Sequence, residues 1–192
     1  MPNIVLGGGQ LGGYEVANSL RFDDGSSDYL NKTFSTPTNN KIWTWSGWVK
    51  KCSNGITSQT LFGSGPDGNN QGEVKFLDDS LQVFDSTSSV NNFTVKSNAI
   101  FRDVSAWYHV VASVDTTQST SSDRVKIYIN GSLVSTTSIT TLQTSITELF
   151  RYQTTTTHYL NGKISNTKIY SRLLTSAEVK QNYRNTKGRY GL

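Results

Sequence analysis

The sequence predicts an all-β protein: an antiparallel two-sheet sandwich with one short C-terminal helix and an extended N-terminal arm. Three observations carry this expectation. The first is alternation in residues 107–131, WYHVVASVDTTQSTSSDRVKIYING. Tyr108, Val110, Ala112 and Val114 fall on one face, and His109, Val111, Ser113 and Asp115 on the other. After a connection of Thr, Ser, Gln and Asp, Val125, Ile127 and Ile129 alternate with Lys126, Tyr128 and Asn130. A period of two is the mark of a half-buried strand. The second observation is Asn130-Gly131 at the end of that run. Both central positions of a type I′ turn need positive φ, so this pair predicts a hairpin, with residues 132–138 running back as a third strand. The third is spacing. Strand-like runs recur about every ten residues between turn signals, the pattern of a sandwich or jelly roll.

Composition agrees. The chain has 192 residues, enough for one domain with its own core. Only 34% are hydrophobic and 17% charged, which suits short strands with polar loops better than a helical bundle. The net charge of +4 comes from scattered Lys and Arg, with no basic run to track phosphates, so no nucleic-acid partner is expected. No apolar segment approaches a membrane span, and no signal-peptide pattern opens the chain. A single cysteine, Cys52, precludes an intrachain disulfide framework.

Residues 1–17, MPNIVLGGGQLGGYEVA, stand apart from the domain predicted over 18–192. Gly7-x-Gly9-x-x-Gly12 formally matches a dinucleotide fingerprint, but that motif needs a following helix and a βαβ unit, which the chain does not offer. The preferred reading is an arm. Gly7, Gly8 and Gly9 let the backbone lie along another surface, and Ile4, Val5 and Leu6 dock there.

Residues 18–30 read as a strand, an Asp-Gly turn and a second short strand. Asp23, Asp24 and Asp28 cluster around that turn. Three carboxylates suit Ca²⁺, which takes several oxygen ligands, although a solvated turn is the preferred reading and no cofactor is expected. Residues 41–51, KIWTWSGWVKK, form an aromatic strand. Trp43, Trp45 and Trp48, with Trp107 further on, offer flat rings for sugar C–H faces, and tryptophans this close are also ordinary core residues. Strands follow at 59–64, 73–77, 80–85 and 92–96, with turns at 65–68 and 78–80, then at 148–152 and 158–170 with a turn at Asn161-Gly162. The period then changes. Thr175-Ser176-Ala177-Glu178 is a capping box, and Val179 and Tyr183 recur at i,i+4, so a helix is predicted over 176–183. The tail, 184–192, is expected to be a surface strand or an arm.

Catalytic constellations are missing. Glycoside hydrolysis needs two carboxylates at a fixed separation. None of Glu15, Glu73, Glu148 or Glu178 has a carboxylate two positions away. His109 and His158 are the only histidines and lack zinc-ligand spacing. Lys50 and Lys51 could activate Cys52, but no neighbouring base completes a nucleophile. The chain is therefore not expected to be an enzyme.

Several segments together carry a family resemblance. Trp107-Tyr-His109-Val-Val, Val125-Lys-Ile-Tyr-Ile-Asn130-Gly131, Leu160-Asn-Gly162-Lys-Ile164 and Lys168-Ile-Tyr170-Ser-Arg172-Leu-Leu174-Thr-Ser-Ala-Glu178, with Ser46-Gly47-Trp48-Val49, resemble the LamG-like, concanavalin A-type jelly-roll superfamily over roughly residues 18–185. The resemblance implies two antiparallel sheets with the short helix closing one end. Relatives often place an acidic residue where Ser165-Asn166 stand, so one anion expected of a calcium site is missing. The strand motif of the laminarinase-like branch, Glu-x-Asp-x-(x)-Glu, is also absent. The wording of residues 20–30 and 183–191 resembles modules of tailed-phage structural proteins. That implies a virion protein assembled in the host cytoplasm: a homo-oligomeric capsid decoration (cement) protein, held through its arm to the major capsid protein or another virion protein. The alternative is a lectin-like carbohydrate-binding module, free or on a tail fibre, recognising host-surface glycans through Trp43, Trp45, Trp48 or Trp107.

Overall fold

A computed structural model describes residues 19–30, 32, 39, 41–140 and 159–192. The arm positions Ile4, Val5, Leu6, Gly7, Gly8 and Gly9, the strand expected at 148–152 and His158 lie outside the described residues.

Two antiparallel sheets pack face to face. The six-stranded sheet has the order β1 (Leu20–Phe22), β11 (Gly162–Tyr170), β2 (Ile42–Lys51), β7 (Tyr108–Asp115), β8 (Val125–Ile129) and β9 (Ser132–Leu133). The five-stranded sheet has the order β10 (Thr136–Thr140), β6 (Val90–Ile100), β5 (Ser80–Thr87), β4 (Asn70–Leu77) and β3 (Ser58–Asp67). The core is the sum of the inward faces. Trp43, Trp45 and Val49 of β2, with Val110, Ala112, Val114, Val125 and Ile127, meet Val74, Phe76, Leu81, Val83, Phe93 and Val95 of the other sheet. In β7 and β8 the core residues fall on single faces of the period-two patterning. Gly47 makes room for its neighbour: a Cβ there would stand 3.0 Å from the Trp45 ring. No helix among the described residues is long and apolar enough to cross a membrane.

The Asn130-Gly131 turn forms as expected, with φ of 51° and 80°. The third strand of the meander does not. Only Ser132 and Leu133 pair with β8; the chain then crosses over, and β10 pairs with β6 in the opposite sheet. Val134 explains the corner. It is the one apolar side chain of 134–137, it packs against the core, and its N–H donates to the Ile127 carbonyl at 3.0 Å. The Ser/Thr run beyond it has no apolar face to hold it on β8, and it finds backbone partners on the open edge of β6.

Asn161-Gly162 is likewise not a turn. Gly162 opens β11 beside β2, and a Cβ there would fall 2.4 Å from the Lys50 carbonyl oxygen. The glycine is required by close backbone approach, not by φ. Gly162→Ala is expected to cost about 1–3 kcal/mol, as overpacking does. Chemical denaturation checks this, and an unchanged midpoint would show that β11 can shift freely.

The second strand expected after β1 is replaced by a hydrogen-bonded turn at 23–28. At the opposite end of the chain the helix is longer than predicted. The capping box forms: Glu178 N–H donates to Thr175 Oγ1 at 3.2 Å, and Thr175 N–H donates to Glu178 Oε2 at 2.8 Å. α1 (Ser176–Thr186) then runs on into a 3-10 turn at Lys187–Tyr190, so the tail is neither strand nor arm. Thr175→Ala is expected to lower stability by about 1 kcal/mol, read as a fall of about 2–4 °C in Tm.

The helix and its tail cover the outer face of the six-stranded sheet. Val179 and Leu174 pack on Val111 and Tyr128 as a second, smaller core, with Tyr170 beside it. A covered outer face explains why β2 is buried along nearly its whole length rather than on alternate residues.

Candidate functional site

Beside that second core, the helix does not close fully on the sheet. The ladder between β11 and β2 breaks between Ser165 and Lys168, and Asn166 takes a φ of 51°. A bulge of this kind re-aims the side chains around it. Asn166, Lys168 and Tyr170 of β11 then face Asn182, Asn185 and Thr186 of α1 across a cavity of about 220 Å³. Ser46 of β2 and His109 of β7 also line it.

His109 is the most constrained of these groups. It is only 3% exposed, its ring centroid lies 5.2 Å from Trp48, and Nε2 stands 3.2 Å from Ser46 Oγ. Its Nδ1 has no hydrogen-bond partner. Burial, and then the charge of Lys168, hold its pKa down at about 4. The imidazole is therefore neutral near neutral pH. Burial raises the Tyr170 phenol above its ordinary value, an effect that the Asn182 carboxamide partly offsets. Among the described residues, Lys168 is then the single formal charge on the lining, and no carboxylate lines the cavity.

A serine hydroxyl beside a histidine invites comparison with nucleophilic catalysis. The arrangement lacks what that chemistry needs. A triad histidine is oriented by an acid on its second nitrogen, whereas His109 Nδ1 has no partner. A base with a pKa of about 4 is also a weak proton acceptor at neutral pH. What the cavity does hold is a set of neutral donors and acceptors on a strand and a helix, with one cation. Each carboxamide offers both an acceptor oxygen and two N–H donors.

The tryptophans are placed differently from a sugar platform. Trp43 and Trp45 are core residues. Trp48 is fully buried on the opposite face of β2: Tyr190 stacks on it at 4.0 Å, Tyr183 lies at 5.8 Å, and its Nε1 donates to Thr186 Oγ1 at 2.9 Å. The expectation of sugar stacking on Trp43, Trp45 and Trp48 is therefore corrected, because a buried ring presents no face to a ligand. Trp107 is half-buried, with its ring 5.0 Å from Tyr190.

The aspartate turn is also accounted for without a metal. Asp23 Oδ1 accepts from Gly25 N–H at 3.0 Å, Asp28 Oδ2 accepts from Asp23 N–H at 3.1 Å, and Asp24 Oδ1 accepts from Asn161 Nδ2 at 2.7 Å. The three carboxylates are engaged in building the turn and tying it to β11, and among the described residues no three acidic, His or Cys side chains converge on one point.

Sequence reasoning singled out His109 but missed the rest of the cavity. A signal existed. Asn166, Lys168 and Tyr170 alternate as polar-faced strand residues, and Asn182, Asn185 and Thr186 recur at i, i+3 and i+4, which places them on one helix face. Ending the predicted helix at Tyr183 hid the second pattern.

No curated protein matches the chain in sequence. Solved structures share its fold. The carbohydrate-binding module CBM40 of the Ruminococcus gnavus IT-sialidase, bound to alpha2,3 sialyllactose, superposes with a TM-score of 0.56 at 18% identity, covering 74% of this chain and 83% of that one. The binding domain of botulinum neurotoxin DC, in complex with rat synaptotagmin II, gives 0.55 at 12% identity over 76% of this chain. The Trypanosoma rangeli sialidase gives 0.53 at 14% identity over 78% of it. The chain spans only 36% of the neurotoxin domain and 23% of that sialidase. A family model, described as the concanavalin A-like lectin/glucanases superfamily, matches residues 24–180. With its two-sheet sandwich and its helix-closed outer face, the chain belongs to the concanavalin A-like lectin/glucanase superfamily.

Proposed function

We propose that the chain is a non-catalytic, lectin-like carbohydrate-binding module and that it holds a glycan in the cavity between α1 and β11. The observation that carries the reading is the lining: three carboxamides, a phenol, hydroxyls and one ammonium group, without a carboxylate. Sugar hydroxyls both donate and accept, and so do carboxamides and hydroxyls. Hydrolysis would need a carboxylate pair, which the cavity does not supply. The superfamily supports the same direction, since a fold neighbour is a carbohydrate-binding module with a bound sialyl sugar.

The direct test is retention of the full chain on a glycan array, followed by NMR titration with the glycans retained. The double variant Asn182→Ala/Asn185→Ala is expected to weaken binding at least about tenfold, the loss of one to two hydrogen bonds. Binding unchanged in the double variant would remove the cavity from the reading, and retention of no glycan would remove the reading itself.

The virion expectation is the second reading. It rests on the tailed-phage wording of residues 20–30 and 183–191 and on the arm at Ile4, Val5 and Leu6. The two readings are compatible: a capsid decoration, joined to a shell protein through its arm, can also grip surface glycans. Quantitative mass spectrometry of purified particles tests it, with a simple copy ratio to the capsid protein expected and absence from particles overturning it.

A further inference from the structure

Resting on the glycan reading, we propose that the cavity selects an anionic saccharide, whose carboxylate or sulfate sits on Lys168 while Asn166, Asn182 and Asn185 take the neighbouring hydroxyls. Three observations converge on this. Lys168 lines the cavity, and no described carboxylate forms an ion pair with it. The histidine that shares the lining is neutral, because its burial and the nearness of the Lys168 ammonium oppose a second positive charge. The remaining lining groups are uncharged. The cavity therefore carries an uncompensated positive charge beside a set of neutral hydrogen-bonding groups.

That combination fits one class of ligand. A neutral sugar would satisfy the carboxamides and leave the ammonium to solvent. An anionic sugar uses both, and a charge-assisted hydrogen bond is roughly twice as strong as a neutral one. His109 stays fixed beside the site, its ring held between Trp48 and Ser46. The charge and the hydroxyl partners come from β11, beside its bulge, and from α1; Tyr170 and Val179 of these elements pack in the second core, so the site is positioned in advance of binding.

The experiment compares glucuronic acid and galactose 6-sulfate with glucose and galactose, by NMR titration of the full chain and of Lys168→Gln. Lys168 is exposed, so its substitution leaves the fold intact, and circular dichroism checks this. The expected result is that one or both charged sugars bind about tenfold tighter than the neutral parent. Lys168→Gln removes that preference, and Lys168→Arg retains it. Which charged sugar is preferred separates carboxylate from sulfate. Equal binding of charged and neutral sugars, lost in Asn182→Ala, overturns the anionic preference and leaves the glycan reading in place. A preference that survives in Lys168→Gln places the charge recognition elsewhere and overturns the assignment. No binding of any of the four sugars, on a chain that also retains nothing on the array, overturns both.

Discussion

Asp79→Ala is expected to destabilise the fold by about 3–5 kcal/mol, because it strands the buried charge of Lys51. Lys51 has no exposed surface; its ammonium group donates to Asp79 Oδ1 and, at 3.2 Å, to the Phe101 carbonyl, and it stands 5.2 Å from the centre of the Phe76 ring. Arg102 Nε adds a second donor to Asp79 at 3.1 Å. The pair ties the end of β2 to the β4–β5 turn, where Asp78 and Asp79 adopt φ of 48° and 66°. Replacing both partners with apolar groups (Lys51→Met with Asp79→Leu) is expected to recover much of the loss, since a matched apolar pair needs no compensation. Denaturant unfolding of the two variants is the check, and Asp79→Ala costing under about 1 kcal/mol would mean that water reaches Lys51.

The same pair sets an acid limit on stability. The Lys51 hydrogen bond, followed by that from Arg102, lowers the Asp79 pKa, although burial opposes the shift. A folded-state value below the unfolded one contributes stability that is present above the unfolded value, about 4, and lost as pH falls through the folded value. The wild type is therefore expected to lose stability in that acid range more steeply than Asp79→Ala. Parallel curves for the two proteins would show that other carboxylates account for acid unfolding.

Trp48→Ala is the second large effect. Removing a fully buried tryptophan costs about 3–5 kcal/mol, and here the loss falls on the tail as well as on the sheet. Trp48 is the surface on which Tyr190 stacks and the donor that holds Thr186. Thr186 lines the cavity. The variant is therefore expected to lose glycan binding at temperatures where it is still folded, together with hydrogen-exchange protection at 183–190. Trp48→Phe, which keeps a stacking ring but not the indole N–H, is expected to retain most of the stability and only part of the binding. Intact binding in Trp48→Ala would mean that the tail does not depend on the tryptophan.

Much of the fold was legible in the residues. β7 and β8 lie where alternation places them, β2, β4 and β5 lie where strand-like runs between turn signals place them, and Thr175 and Glu178 cap a helix as their spacing requires. The misreadings share a cause. Asn161-Gly162 and the return strand at 132–138 were read from local turn and strand signals, while the outcome at Gly162 and beyond Leu133 was decided by the Lys50 carbonyl and by the edge of β6, both distant in sequence. Trp43, Trp45 and Trp48 were legible as sheet residues, but whether their rings face solvent depends on what packs over them.

That division follows from the range of the forces involved. Side-chain alternation, capping and positive-φ turns are short-range consequences of backbone stereochemistry, so the chain alone determined the all-β class, the inward faces and the C-terminal helix. Covering an outer face requires two segments remote in sequence to meet. Trp48 and Thr186, or His109 and Asn182, have no local signal that pairs them. Only the tertiary structure decided that the tail would fold back over β2 and β7, bury Trp48, and leave a carboxamide-lined cavity beside Lys168.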